Sequence, residues 1–392
     1  MILAIDLGST SFKAGLFDAR LRLVRSNSAP LKYRYAAGGH VELEVPVVDA
    51  ALRQIMAGMK GYKVIAITSQ AQTFTVLNRR GQPTRPFVSW QDRRAARACA
   101  ALNKQLPDFS RHCSFSLVPA LQICQLKHAP IRRDETVLKL PSYAVHRWTG
   151  ATVTDENIAA MGGLYSLAES RWWPPALRAC GLRVEQLPRV VPVGTVAAHT
   201  PAGIPVILAG NDQTAGAYAA RLDENGATLV TLGTAQVAYR CVEKLPAAGL
   251  VRGPYPGGRF YEMAVDSWGA NLTNWAETIL TGCETHDKFF AQAAQSPAGC
   301  HGLRFAAATG TWSHLALHHT AADLARSILE ELSRRMAAMV RRVGGRRVLV
   351  AGGGGGRPVW RKILADELRM KLVRTEADPL LGAARMGKEA IR

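Results

Sequence analysis

Ile2-Leu-Ala-Ile-Asp-Leu-Gly-Ser-Thr-Ser-Phe-Lys-Ala-Gly-Leu-Phe17 reads as an apolar strand, a Leu-Gly-Ser turn and a second strand of alternating pattern. That order predicts a β-hairpin with a glycine at its tip. The design returns in Ala227-Thr-Leu-Val-Thr-Leu-Gly-Thr-Ala-Gln-Val-Ala-Tyr239. Glycine at such a tip permits φ > 0 and a close approach of backbone to ligand. Successive N–H groups with neighbouring hydroxyls then form a concavity suited to phosphate. A single hairpin of this kind usually does no more than turn the chain. Two related ones in the two halves of one chain predict a duplicated architecture holding a polyphosphate between its lobes.

The bulk numbers agree with that picture. At 392 residues the chain is long enough for two domains with separate cores. Hydrophobic content of 48% and charged content of 20% are ordinary for a globular protein. No apolar run approaches the roughly 20 residues that span a bilayer. The chain enters a strand at Ile2, so no signal peptide is expected and the reading is cytoplasmic. The seven cysteines are odd in number, scattered and free of C-x-x-C pairs, which predicts reduced thiols rather than zinc or a disulfide framework. A net charge of +19 raises nucleic-acid binding. The basic residues are dispersed over helical faces with no aromatic-interleaved stripe, so no specific nucleic acid and no membrane is expected as a partner. The positive field also suits anionic nucleotides.

Along the first lobe, taken as residues 1–222, a third strand is expected near 21–25, a helix over 47–59, and strands over 63–68 and 74–77. Residues 92–150 read as mainly helical, punctuated by prolines. A strand over 204–209 runs into Gly210-Asn-Asp-Gln-Thr-Ala-Gly216, a glycine turn opening a small-residue helix. The second lobe, taken as residues 223–392, begins at a polar turn, Asp223-Glu-Asn-Gly226, that suits a hinge. It carries the second hairpin, helices over 270–281 and 321–342, and a strand over 347–351. Five glycines, Gly352 to Gly356, follow, and then a helix over 359–369. Strand, glycine turn and helix in that order point backbone N–H groups and a positive dipole end at a ligand.

Two carboxylates stand at strand ends beside glycine turns: Asp6 and Asp212. One could hold hydrated magnesium while the other takes a proton from an attacking hydroxyl. Phosphoryl transfer needs those parts and a cation near the transferring oxygens, a role open to Lys13 on the return strand. The stretches Ser69-Gln-Ala-Gln-Thr-Phe74 and Val88-Ser-Trp-Gln-Asp-Arg-Arg94 are rich in groups that recognise polyols. Each has a plainer alternative: a turn cap for Asp6, an exposed strand lysine for Lys13, a core side chain for Trp90, a helix cap for Asp92.

In combination and order, these segments resemble the FGGY carbohydrate kinases, which include glycerol kinase and xylulokinase and belong to the actin/Hsp70/hexokinase-like superfamily. Asp6-Leu-Gly-Ser-Thr-Ser-Phe-Lys13 resembles the family's first phosphate loop. That implies Asp6 assisting Mg²⁺ and Gly8, Ser9, Thr10 and Lys13 around the γ-phosphate. Ala209-Gly-Asn-Asp-Gln-Thr-Ala-Gly216 resembles the G-x-D-Q/N motif, making Asp212 the implied general base, near the metal through water, with Gln213 beside the sugar. Gly81-Gln-Pro with Trp90-Gln-Asp-Arg-Arg94, and Trp148-Thr-Gly150 with Asp155, match further family stretches. The implied sugar contacts are Gln70, Gln72, Thr73, Trp90 and Asp92. Gly233-Thr234 resembles the second phosphate loop, and Gly352 through Trp360 the adenosine site, with Gly310, Gly353, Gly354 and Arg357 as implied contacts.

The departures are specific. The G-E-R-x-P loop is absent between Phe305 and His319, and Arg357 replaces the usual asparagine. Gln70-Ala-Gln-Thr73 matches neither the Q-M-H-G of xylulokinases nor the Q-R-E-T of glycerol kinases, so neither xylulose nor glycerol is expected to be the best substrate. The resemblance implies an α/β fold of two RNase-H-like lobes, as in actin-like ATPases, around a nucleotide and substrate cleft. The implied activity is ATP- and Mg²⁺-dependent phosphorylation of a ketose or polyol hydroxyl, with room for a homodimer. The alternative is a non-catalytic relative that senses sugar or nucleotide, which the shortened second lobe favours and the retained Asp6, Lys13 and Asp212 oppose.

Overall fold

Both hairpins form. In the computed structural model, which describes residues 1–233, 235–281 and 286–392, Ile2–Leu7 pairs antiparallel with Ser11–Phe17, and Thr228–Leu232 with Gln236–Val242. The chain divides into two compact units, and neither is a simple half. The first comprises Met1–Ala219, Val242–Tyr261 and Asp378–Arg392, and the second Ala220–Cys241 and Glu262–Ala377. Two returning segments therefore join the first unit across a contiguous division at 222/223. Pro254 is held there by Asn157, whose Nδ2 donates to its carbonyl at 2.7 Å, and Arg385 donates to the carbonyl of Tyr218 at 2.9 Å.

The first unit is built on a six-stranded sheet in the order Val196–His199, Pro205–Asn211, Ile65–Ser69, Ile2–Leu7, Ser11–Phe17, Leu23–Pro30. Ile65–Ser69 runs parallel to both Ile2–Leu7 and Pro205–Asn211, so three strands end at one edge. Continuous apolar runs suit strands covered on both faces. Leu3, Ile5, Leu7, Ile65 and Ile67 are buried together with Val48, Leu52 and Ile55 of the helix Val45–Met56. The helix Pro379–Glu389 also packs on this sheet, where a Cβ on Gly387 would lie 3.0 Å from that of Ala66.

Some elements differ from the sequence reading. The third strand is Leu23–Pro30 rather than 21–25, because Asp18 ties off a turn through the N–H groups of Arg20 and Arg22 and leaves Leu21 at φ 61°. The segment 92–150 holds three helices of seven to ten residues, yet Thr136–Lys139 is a strand paired with Phe74–Leu77. The expected hinge is a four-residue helix, Leu222–Asn225, closed by Gly226 at φ 59°.

In the second unit Thr228–Leu232 runs parallel to Val348–Ala351, which runs parallel to Leu372–Arg374. The helix Ala321–Val343 starts at a Thr320/Asp323 capping box and packs against Pro358–Leu368. The helix Ala270–Thr281 lies where its periodicity placed it. Among the described residues no helix is long and apolar enough to cross a membrane.

Candidate active site

The edge where the three parallel strands end brings Asp6, Asp212 and Asp378 near one another. Asp6 is the penultimate residue of its strand and pairs in register with Lys13 across the hairpin and with Thr68 on the other side. It is 8% exposed, and its Oδ1 is buried with no hydrogen-bond partner among the described residues. Burial and the nearby Asp212 carboxylate raise its pKa to about 7, with Lys13 opposing and Asp378 adding to the rise. Asp378 escaped the sequence reading. It caps the helix Pro379–Glu389 by accepting from the N–H of Leu380 at 2.9 Å, and the Asp-Pro pair at a helix start was its signal.

Asp212 opens the helix Asp212–Ala219 directly after the strand Pro205–Asn211. The junction is sharp: Gly210 sits at φ 70°, and its carbonyl accepts from Thr68 Oγ1 at 2.9 Å. Asn211 caps the helix through the N–H of Thr214 at 3.0 Å and is itself held by Asn157. Close packing fixes the helix, since a Cβ on Gly382 would lie 1.8 Å from the carbonyl oxygen of Ala215. Burial raises the Asp212 pKa to about 6, against the lowering hydrogen bond from the Gln213 N–H. Gln213 is partly exposed beside it.

These groups fit a hydrated divalent cation. An unpartnered buried carboxylate oxygen on Asp6, with the Asp212 and Asp378 charges near enough to shift it, is a strongly negative and undercompensated site. Among the described residues no cluster of three or more His, Cys, Asp or Glu would ligate a metal by itself, so water and phosphate would supply the remaining ligands.

The hairpin glycines act differently from expectation. Gly8 has no positive φ; a Cβ there would lie 3.0 Å from the Ser11 carbonyl oxygen, so tightness of the turn is what demands glycine. Ser9 is partly exposed, and Thr10 and Lys13 are exposed.

The polyol stretch divides in two. Gln70 and Thr73 are buried at 5% and 0% exposure and are occupied internally. Gln70 Nε2 donates to the Gly8 carbonyl at 3.1 Å and its Oε1 accepts from Thr73 Oγ1 at 3.1 Å, while Thr73 Oγ1 accepts from the Trp90 N–H at 3.2 Å. Asp92 is fully buried. It accepts from the Val41 N–H at 2.7 Å, from Gln125 Nε2 at 3.1 Å and from the Arg94 guanidinium. Burial would raise its pKa, but Arg94 and the backbone N–H groups hold it below the usual range. Gln70, Thr73 and Asp92, expected as sugar contacts, thus also carry hydrogen bonds inside the protein. Gln72 is partly exposed at φ 70°, a costly conformation for a non-glycine residue. Trp90 is 40% exposed rather than in the core.

In the second unit, Gly233 follows the strand Thr228–Leu232, and a Cβ there would lie 3.5 Å from the Ala235 carbonyl oxygen and 3.9 Å from Thr231 Cγ2, ordinary contacts. Thr234 lies outside the described residues. Gln236, which the sequence reading passed over, is fully buried with neither amide atom partnered among the described residues. After Val348–Ala351 the chain makes one helical turn, Gly352–Gly355. Gly352 has φ 82° and lies against Leu232, and a Cβ on Gly354 would come within 2.4 Å of the Trp360 ring. Gly353 faces open space. Arg357 stands at the N-terminal end of the helix Pro358–Leu368 with no side-chain capping bond, lies 5.0 Å over the Phe290 ring and pairs with Asp287. Gly310 sits in the turn of a separate hairpin, Arg304–Ala306 with Thr311–Ser313, which packs on the helix Ala321–Val343. A cavity of about 760 Å³ in this unit, lined by Gly299, Arg326, Glu330 and Asp366 among others, includes none of the candidate residues.

Topology and site together define the α/β fold of the actin-like ATPases. The chain has a TM-score of 0.90 with a xyloylose kinase from Brucella ovis, at 20% identity over 99% of this chain and 90% of that one. It has the same score with Plasmodium falciparum glycerol kinase with ADP, at 15% identity over 100% and 89%. Residues 1–219 match the FGGY family of carbohydrate kinases, N-terminal domain, and the chain belongs to that family. Among relatives, xylulose kinase of Escherichia coli is 25% identical over 100% of this chain and 90% of its own length. Glycerol kinase of Chelativorans sp. is 29% identical over 59% of this chain, a match spanning about half (52%) of that protein.

Proposed function

We propose that the protein transfers the γ-phosphoryl group of ATP to a hydroxyl of a ketose or polyol, giving a sugar phosphate and ADP. The observation that carries this reading is the juxtaposition of Asp6 and Asp212 at one sheet edge beside the Gly8 turn. Asp212 accepts the hydroxyl proton as the oxygen attacks, a role suited to a carboxylate poised near neutrality. The bond from the γ-phosphorus to its bridging oxygen breaks, and ADP leaves. The hairpin tip at Gly8, Ser9 and Thr10, with Lys13, binds and orients the γ-phosphate. Asp6 would hold Mg²⁺ through water, and the bound ion would neutralise charge on the phosphates. Gln72, Trp90 and Gln213 face the acceptor. In the second unit Gly233, Gly353 and Gly354 give the nucleotide its backbone contacts, with Arg357 beside the base. The relatives' names, xylulose kinase and glycerol kinase, support a polyhydroxy acceptor.

A panel of ketoses and polyols assayed for ADP release tests the reading. Release that depends on one of them is the expected result. Tight binding of sugar and ATP with no acceptor-dependent ADP would replace it with the non-catalytic sensing role.

A further inference from the structure

We propose that Gln70 couples the acceptor loop to the first phosphate hairpin, so that phosphoryl transfer waits for the sugar. This rests on the kinase reading above and assigns that site a regulation by its own acceptor. Gln70 is 5% exposed and stands where the two loops meet. Its backbone N–H donates to the Leu7 carbonyl at 3.0 Å, and its amide donates to the Gly8 carbonyl at 3.1 Å. The peptide unit is planar and trans, so the Gly8 C=O and the Ser9 N–H point in opposite directions. The direction in which Gln70 holds the Gly8 carbonyl therefore sets the direction of the Ser9 N–H.

The other end of the same amide belongs to the acceptor side. Its oxygen accepts from Thr73 Oγ1 at 3.1 Å, and Thr73 Oγ1 accepts from the N–H of the part-exposed Trp90 at 3.2 Å. The amide nitrogen lies 3.3 Å from the Tyr33 hydroxyl, and the strand entering Tyr33 is tied back to the hairpin where the Leu31 N–H donates to the Thr10 carbonyl at 3.0 Å. Gln72, between Gln70 and Thr73, is held at φ 70°. A sugar seated on Gln72 and Trp90 moves Thr73, and a two-ended amide has no way to follow Thr73 without turning the Gly8 peptide. Burial makes each of these bonds costly to leave unmade, so the network moves as one piece.

The consequence concerns water. With sugar present, the acceptor oxygen bonds to the γ-phosphorus, its proton goes to Asp212 and ADP departs. With no sugar, water would enter as nucleophile and yield ADP and inorganic phosphate. The Gln70 bridge leaves the Ser9 N–H off its productive direction until the acceptor loop is filled, which suppresses that hydrolysis.

The test is ADP release by the full chain with and without the best polyol of a panel, in Gln70→Glu and Tyr33→Phe. Gln70→Glu keeps an acceptor for Thr73 but has no donor for Gly8; Tyr33→Phe removes one anchor of the amide and leaves the hairpin contact. The ratio of sugar-stimulated to basal ADP release should fall by roughly 10²-fold in Gln70→Glu, the scale of a displacement of about 1 Å in a transfer site. Tyr33→Phe should fall in the same direction by less, and KM for ATP should stay near wild type in both. An unchanged ratio in both variants overturns the coupling, as does a parallel loss of ATP affinity and thermal stability, which marks a merely structural role. If Gln70→Glu does not fold, Tyr33→Phe decides alone. If the wild-type protein shows no sugar-stimulated release, the kinase reading fails and the coupling with it; an active wild type with unaltered variants sinks only the coupling.

Discussion

The two hairpins share one backbone plan and differ in charge. In the first, the position two residues before the glycine is Asp6, paired across the ladder with Lys13. In the second, the matching position is Thr231, paired with Val237. Each hairpin buries, near its tip, a polar group with no partner among the described residues: a carboxylate oxygen of Asp6, and the whole amide of Gln236. A buried unpaired group costs about 1–3 kcal/mol, so each marks a place where a missing partner would restore stability. The comparison teaches a division of labour. The charged hairpin suits the chemistry at the γ-phosphate, and the neutral one suits binding of the remaining nucleotide.

The largest expected effect lies on the charged side. Asp212→Asn keeps the shape of the strand-to-helix junction and cannot take the acceptor proton. Turnover should drop by about 10²–10⁴-fold while ATP binding persists. Steady-state ADP release with calorimetry of ATP binding checks this, and unchanged turnover would remove Asp212 from the mechanism.

On the neutral side the effect is first structural. Gly354→Val places a branched side chain where Trp360 leaves no room, and overpacking of that kind costs about 1–3 kcal/mol. Denaturant unfolding of the variant should show that loss, with weaker nucleotide binding beside it. Wild-type stability would mean that the Trp360 ring yields freely. Gly353→Val faces open space and should leave stability near wild type, so the pair separates steric need from ligand contact.

A smaller effect belongs to the acceptor loop. Gln72→Ala should raise KM for the true sugar with little change in KM for ATP, because a site built to hydrogen-bond a hydroxyl loses its partner. Equal KM shifts for both substrates would take Gln72 out of sugar recognition. A panel led by D-xylulose would show that side chains outside this loop set the choice.

The hairpins, the strand Phe74–Leu77 and the helix Ala270–Thr281 were legible because local periodicity alone specifies them. So was the placement of Asp6 and Asp212 at strand ends beside glycine turns. The strand Thr136–Lys139 was not legible, because four residues between helices carry too little pattern and their pairing with Phe74–Leu77 is long-range. The fates of Gln70, Thr73 and Asp92 were hidden for the same reason: amide, hydroxyl and carboxylate suit a sugar as well as they suit Gly8, Trp90, Val41 and Arg94. Asp378 joins the site only because the last helix folds back onto the first unit.

Asp6→Asn measured beside Gly233→Val tests the division of labour most directly, with kcat at saturating ATP and the Kd for ADP in the absence of Mg²⁺ determined for each. Asp6→Asn should lower kcat by about 10–100-fold, the usual scale for losing an outer-sphere metal partner, and leave metal-free ADP affinity unchanged. Gly233→Val, with room for its Cβ, should fold, weaken ADP binding and retain most of kcat. The opposite pattern, with Asp6→Asn acting on metal-free ADP affinity and Gly233→Val acting on kcat alone, would contradict the account.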